Sequence, residues 1–150
     1  MNRSHEFVAR VEWAGSTGSS DYGRDHTIHL KDQTVRGSAI AQYGGDPALA
    51  NPEQLLAAAL AQCQMLTYLA LAAKAGIEVV AYRDRAEASV GRLEGKTAIT
   101  RVALEPHITL APSQDADTAR ALVEKAHKYC FIANSLRAEV VLAPTVEYEA

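Results

Sequence analysis

Asn51-Pro-Glu-Gln-Leu-Leu-Ala-Ala-Ala-Leu-Ala-Gln-Cys63-Gln-Met-Leu-Thr-Tyr-Leu-Ala-Leu-Ala-Ala-Lys-Ala-Gly76 is the stretch on which the fold turns. Asn51 is a good N-cap, Pro52 suits the first helical position, and Glu53 complements the positive end of the helix dipole. The pattern predicts a helix that runs to Lys74–Ala75 and stops at Gly76, a glycine suited to the left-handed residue after a helix. From Gln54 to Ala73, twenty residues carry no formal charge, long enough on length alone to cross a bilayer. Three glutamines and a threonine interrupt that run, and no second apolar segment or basic flank accompanies it. A helix apolar on most sides is what the middle of a soluble core requires, so the expectation is a long buried central helix and no membrane insertion.

Working outward, residues 6–14 read as a strand, followed by a Gly/Ser turn at residues 15–20. Residues 24–31 and 33–40 read as two further strands turning at Lys31-Asp32, and residues 43–51 as a loop. Beyond the helix, Val80, Tyr82, Ala86, Ala88 and Val90 fall on one side of a strand, with Leu93–Lys96 as the turn. Val102, Leu104, Ile108 and Leu110 continue the alternation, and Pro106 marks an edge or bulge. Asp115 to Tyr129 reads as an amphipathic helix carrying Ala119, Leu122, Val123 and Ala126 at helical spacing, and residues 138–143 as a last strand. The order β-β-β-α-β-β-α-β argues an α+β fold in a single domain over residues 1–150. A mostly antiparallel sheet packs on the long central helix and on a second amphipathic helix.

With 150 residues, 48% hydrophobic and 22% charged, the composition is that of an ordinary globular domain. A net charge of −3 without a basic run argues against a nucleic-acid partner, since phosphate binding needs clustered Lys and Arg. The start, Met1 to Glu6, lacks the apolar run of a signal peptide, so the expected location is cytoplasmic, where thiols stay reduced.

Two cysteines then stand out, 67 positions apart. Cys63 lies mid-helix, out of reach of the helix dipole, which acts within the first and last turns. It reads either as a small buried hydrophobe or as a nucleophile that needs a cation brought from elsewhere in the fold. Cys130 follows His127-Lys128-Tyr129 where the second helix should end, a place where a thiol can be partly exposed. It reads either as an incidental rim cysteine or as a resolving thiol. A metal site is disfavoured: His26 and His29 point to opposite faces of a strand, and His127 with Cys130 supplies two ligands only. No G-x-S-x-G elbow is present for a serine hydrolase.

With these frames in view, the chain resembles the OsmC/Ohr family of organic hydroperoxide peroxidases. The resemblance rests on Gly23-Arg24-Asp25, on Asn51-Pro52-Glu53-Gln54-Leu55 ahead of Cys63, and on Ala126-His127-x-x-Cys130. Cys130-Phe-Ile-Ala-Asn-Ser135 is similar to the OsmC-like branch. It implies that Cys63 is the peroxidatic thiol and Cys130 the resolving thiol, with Arg24 and Glu53 as the polar pair that orders and activates Cys63. It further implies an intertwined homodimer, organic hydroperoxide substrates and an external dithiol reductant such as a lipoyl-type one, with no cofactor. Met65, Leu66, Tyr68, Phe131 and Ile132 are candidates for an apolar substrate pocket, or else simply core. Gln64 departs from the His common after the first cysteine in relatives.

Two other function classes compete. One is an acyl hydrolase with Cys63 as nucleophile and His127 or His26 as base; the other is a non-enzymatic stress-associated protein that binds a small apolar ligand. Helix geometry adds a constraint on the first reading. Glu53 precedes Cys63 by ten residues, a rise of about 15 Å, so either the helix breaks early or a partner chain supplies Glu53.

Overall fold

The computed structural model describes residues 5–150, so the reading of the N-terminus falls on residues 1–4 largely outside it. The chain forms two compact units, Met1–Leu55 and Leu56–Ala150.

In the first unit, β1 (Arg10–Glu12), β2 (His26–Leu30) and β3 (Gln33–Gly37) make an antiparallel sheet in that order. The Lys31-Asp32 turn closes the β2–β3 hairpin at Leu30↔Gln33, with Lys31 at a positive φ of 58°. The first strand is shorter than its sequence pattern, because its register with β2 begins at Arg10↔His29, one residue before β2 ends. Phe7 and Val8 are left exposed ahead of it. Among the described residues of this unit, Ile28 is the one apolar side chain that is buried.

The long helix α1 (Pro52–Lys74) forms where the capping signals put it. Asn51 and Gln54 exchange bonds: Gln54 N–H donates to Asn51 Oδ1 at 2.8 Å, and Asn51 N–H to Gln54 Oε1 at 3.1 Å, a reciprocal cap. At the other end, Gly76 takes φ +74°, Ile77 N–H reaches the Ala72 carbonyl at 2.9 Å, and Gly76 N–H reaches Ala73 at 3.2 Å. This is the left-handed C-terminal motif that favours glycine.

The rest of the second unit comprises β4 (Val79–Arg83), β5 (Ala86–Leu93), β6 (Lys96–Leu104), β7 (His107–Leu110), α2 (Ala116–Tyr129), β8 (Glu139–Leu142) and β9 (Thr145–Tyr148). Two stretches read from sequence as continuous strands are each split. The residues between β4 and β5, between β6 and β7, and between β8 and β9 break at one level, giving the sheets β5-β6-β8 and β4-β7-β9. Arg83↔His107 and Ala86↔Leu104 flank the break on one pair of strands. Pro106 and Pro144 cannot donate there. Glu105 N–H is instead satisfied by Asp84 Oδ1 at 2.8 Å, and Thr145 N–H by the Pro106 carbonyl at 2.8 Å. Four strand pairings are antiparallel, while β6–β8 and β7–β9 are parallel because α2 carries the chain back between them.

Two clusters form the core. Tyr68, Ala72, Ile108, Leu110, Ala119, Val123 and Ala126 join α1, α2 and β7, and Ala57, Leu60, Val102, Leu104 and Cys130 form the other. Each buried Leu or Ile contributes about 1.5–3 kcal/mol. Tyr68 Oη donates to the Ala119 carbonyl and Gln64 Nε2 to the Val123 carbonyl, both at 3.0 Å. Donors four apart on α1 thus meet backbone acceptors four apart on α2. The departure at Gln64 is therefore spent on a tie between the helices.

The expectation of a helix covered on every side is not met within one chain. Alpha1 is long and apolar enough to cross a membrane, yet only 28% of its most apolar window is buried. Ala58, Gln62, Leu66, Ala70 and Ala73 form an open stripe, with Leu66 59% exposed.

Candidate active site

Cys63 sits in the middle of α1, half-buried, and Cys130 caps the C-terminus of α2; both are free thiols. Cys130 is fully buried, which reverses the sequence expectation of a partly exposed thiol at a helix end. The reason lies in the following turn. Cys130 leaves the helix in an extended conformation, and Asn134 N–H returns to its carbonyl at 3.0 Å. Ser135 Oγ braces the turn on the Phe131 carbonyl at 2.8 Å, and Asn134 Nδ2 on the Lys128 carbonyl at 3.2 Å. The chain thereby folds over its own sulfur, and Ala133 N–H points at Cys130 Sγ from 3.5 Å.

Cys63 packs against the cluster that contains Cys130. Burial works to raise its pKa, but the backbone N–H groups of Ile132 and Phe131 and the Cys130 thiol outweigh it, and Cys63 titrates below the ordinary thiol range. Thr67 adds little, because its single hydroxyl proton is given to the Cys63 carbonyl at 2.8 Å. Burial first, and then the neighbouring Cys63, push Cys130 up to about 11. The pair is thus split: Cys63 ionises more readily than a free thiol, and Cys130 less readily. The sequence reading asked for a cation to activate Cys63; in this unit neutral N–H donors lower it. The signal for them was the Asn134-Ser135 ending of the second cysteine frame, since Asn and Ser are turn formers.

A labelling prediction follows from these directions. Near neutral pH, iodoacetamide modifies Cys63 well before Cys130, and the Cys63 rate profile rises at a pH below that of a free thiol. Peptide mapping across a pH series checks this, and equal labelling of both cysteines in the folded protein would refute it.

The five pocket candidates separate. Leu66 and Phe131 are exposed, at 59% and 82%. Met65 and Ile132 are half-buried, and Ile132 packs against the Cys130 cluster. Tyr68 is corrected to a core residue: it is fully buried and its hydroxyl is bonded to α2.

Arg24 and Glu53 lie in the first unit, where they line one hollow of about 280 Å³ together with His26, Ser38 and Tyr43. The Arg24 guanidinium stacks on the Tyr22 ring, 3.7 Å from its centroid, and donates to the Tyr22 carbonyl. Gly44 lies against it with φ +80°, a conformation that favours glycine, and a Cβ there would meet Arg24 Cζ at 3.1 Å and press on the guanidinium. Among the described residues Glu53 Oε2 is buried without a hydrogen-bond partner, which leaves a carboxylate oxygen available to a ligand proton. His26 holds the loop through Nδ1 on the Arg24 carbonyl at 2.8 Å. Tyr22 was not singled out from sequence, since nothing short of the folded loop puts its ring under the guanidinium.

The profile of the OsmC-like protein family matches residues 44–145, a span that includes Glu53, Cys63 and Cys130 and leaves Arg24 outside. The solved structure of an OsmC-like protein of unknown function from Vibrio cholerae superposes with a TM-score of 0.86 at 30% identity, covering 95% of this chain and 100% of that one. The peroxiredoxin OsmC of Escherichia coli strain K12 is 30% identical over 92 residues, 61% of this chain and 64% of that protein, so the match spans less than two thirds of its length. An organic hydroperoxide resistance protein OsmC from Legionella pneumophila has the same fold, with a TM-score of 0.69 at 23% identity over 99% of this chain and 100% of that one.

Proposed function

This chain belongs to the OsmC-like protein family, and on that footing we propose that it is a thiol-dependent peroxidase that reduces organic hydroperoxides. The observation that carries the proposal is the split pair: a half-buried Cys63 held below the thiol range beside a buried Cys130 held up to about 11.

The Cys63 thiolate attacks the outer oxygen of the hydroperoxide. An S–O bond forms, the O–O bond breaks, and the departing alkoxide takes a proton to become the alcohol. With Arg24 and Glu53 contributed by the partner chain of the dimer proposed below, the guanidinium opposes the charge that develops on the leaving oxygen, and the unpartnered Glu53 oxygen accepts the peroxide O–H. The Cys130 thiol then attacks the Cys63 sulfenic acid, releasing water and forming a disulfide before further oxidation. An external dithiol reduces that disulfide. Exposed Leu66 and Phe131 and half-buried Met65 and Ile132 are the apolar side chains offered to the substrate near the two cysteines in sequence.

The working form is proposed to be a cytoplasmic homodimer. The open stripe on α1 and a three-stranded unit with Ile28 as its buried apolar side chain both support a partner that covers them. A peroxide pulse tests the chemistry: one equivalent of cumene hydroperoxide should produce an intramolecular Cys63–Cys130 disulfide, seen by non-reducing peptide mapping. Cys130→Ser should also spend one equivalent and then stall as the sulfenic acid. A reduced wild-type protein that consumes no peroxide would refute the proposal.

A further inference from the structure

The loop between β1 and β2 carries a second hollow, of about 280 Å³, walled by Val11, Trp13, Tyr22, Gly23, Arg24 and His26. Its aromatic wall is fixed by contacts made within that loop. Trp13 Nε1 donates to the Gly23 carbonyl at 2.9 Å. The Trp13 and Tyr22 rings meet edge to face, with centroids 6.1 Å apart and planes at 81°. The Tyr22 ring in turn carries the Arg24 guanidinium. Arg24 and His26 also wall the hollow that holds Glu53. One guanidinium therefore borders both an open aromatic hollow and a hollow bearing a carboxylate.

We infer that Trp13 and Tyr22 are specificity-determining residues that receive the hydrocarbon group of a compact aryl hydroperoxide, an inference that rests on the peroxidase reading. A hydroperoxide has two unlike ends: O–O–H, which needs charge and a proton acceptor, and a carbon group on the inner oxygen. When Arg24 holds the oxygens on its Glu53 side, the carbon group begins one bond further on and meets the aromatic side. Two rings set nearly perpendicular present both a face and an edge, the two geometries in which a third ring is attracted. Ligand pockets run from roughly 300 to 1,000 Å³, so this open hollow sits at the small end and takes in about one ring with a short branch.

Trp13 is the chain's single tryptophan, so its emission reports on this hollow directly. Titration of the reduced full-length protein with 2-phenyl-2-propanol, the alcohol left by cumene hydroperoxide, should change Trp13 fluorescence saturably, whereas tert-butanol should not. Two variants test selectivity: Tyr22→Ala removes the wall, and Val11→Phe fills the hollow while keeping Tyr22 and Arg24 in the chain. In each, the ratio of kcat/KM for cumene hydroperoxide over tert-butyl hydroperoxide should fall about tenfold, carried by KM. The ratio is the readout because a misplaced Arg24 or a loosened fold slows both peroxides alike. An active enzyme whose ratio is unchanged in both variants overturns the inference and leaves the peroxidase reading standing. A wild-type protein that binds the alcohol but reduces neither peroxide overturns the peroxidase reading, and the inference falls with it.

Discussion

Cys63→Ser abolishes peroxide reduction, with kcat/KM falling by at least about a thousandfold, because a serine hydroxyl is a far poorer nucleophile than a thiol whose pKa is lowered. The loss should be confined to chemistry. Cys63 packs at the edge of the cluster around Cys130 rather than within its buried set, and a serine of similar size keeps the helix intact. Circular dichroism should therefore be unchanged while peroxide consumption with added dithiol drops to background. Near-normal turnover in Cys63→Ser would end the peroxidase reading and turn attention to a binding role.

Mixing two dead variants restores activity: Cys63→Ser and Glu53→Ala subunits, unfolded and refolded together, recover about a quarter of the wild-type rate. Alpha1 is unbroken from Pro52 to Lys74, which removes the alternative of Glu53 on a folded-back loop. Ten residues of helix separate it from Cys63 by about 15 Å, beyond the reach of a glutamate side chain. If both act at one site, the glutamate comes from the partner. Random pairing makes about half the dimers mixed, and each mixed dimer holds one site with both groups intact, hence about a quarter of all sites. Absence of recovery, with subunit exchange proven by native mass spectrometry, would put both residues to work within one chain. A well-folded monomer at working concentration would refute the dimer itself.

The same helix shows how far local reading reaches. Its two ends were legible because caps act over a few residues: Asn51 with Gln54 at one end and Gly76 at the other satisfy backbone groups within one turn. The turns at Lys31-Asp32 and Glu94-Gly95 were legible for the same reason. The breaks near Asp84, Pro106 and Pro144 were not, although Pro106 hinted at one. The period-two alternation runs on through the first two, and only the choice of hydrogen-bond partners divides β4 from β5 and β6 from β7. The strand β9 was missed because Thr145–Tyr148 is short and becomes a strand through its parallel pairing with β7.

What the sequence determined by itself was the place of the two helices and of the tight turns, the two cysteine frames and the uncharged run of α1, all properties of neighbours along the chain. Which thiol is buried, what lowers Cys63, and what Tyr22 does to Arg24 were decided in space. The pKa of a thiol answers to the dipoles and burial around the sulfur, and the turn after Cys130 brings Phe131 and Ile132 N–H groups to Cys63 across 68 and 69 positions of chain. Capping free energy is local, so residue types announce it; electrostatic environment is set by whatever the packed helices carry to the same point, and no spacing announces that.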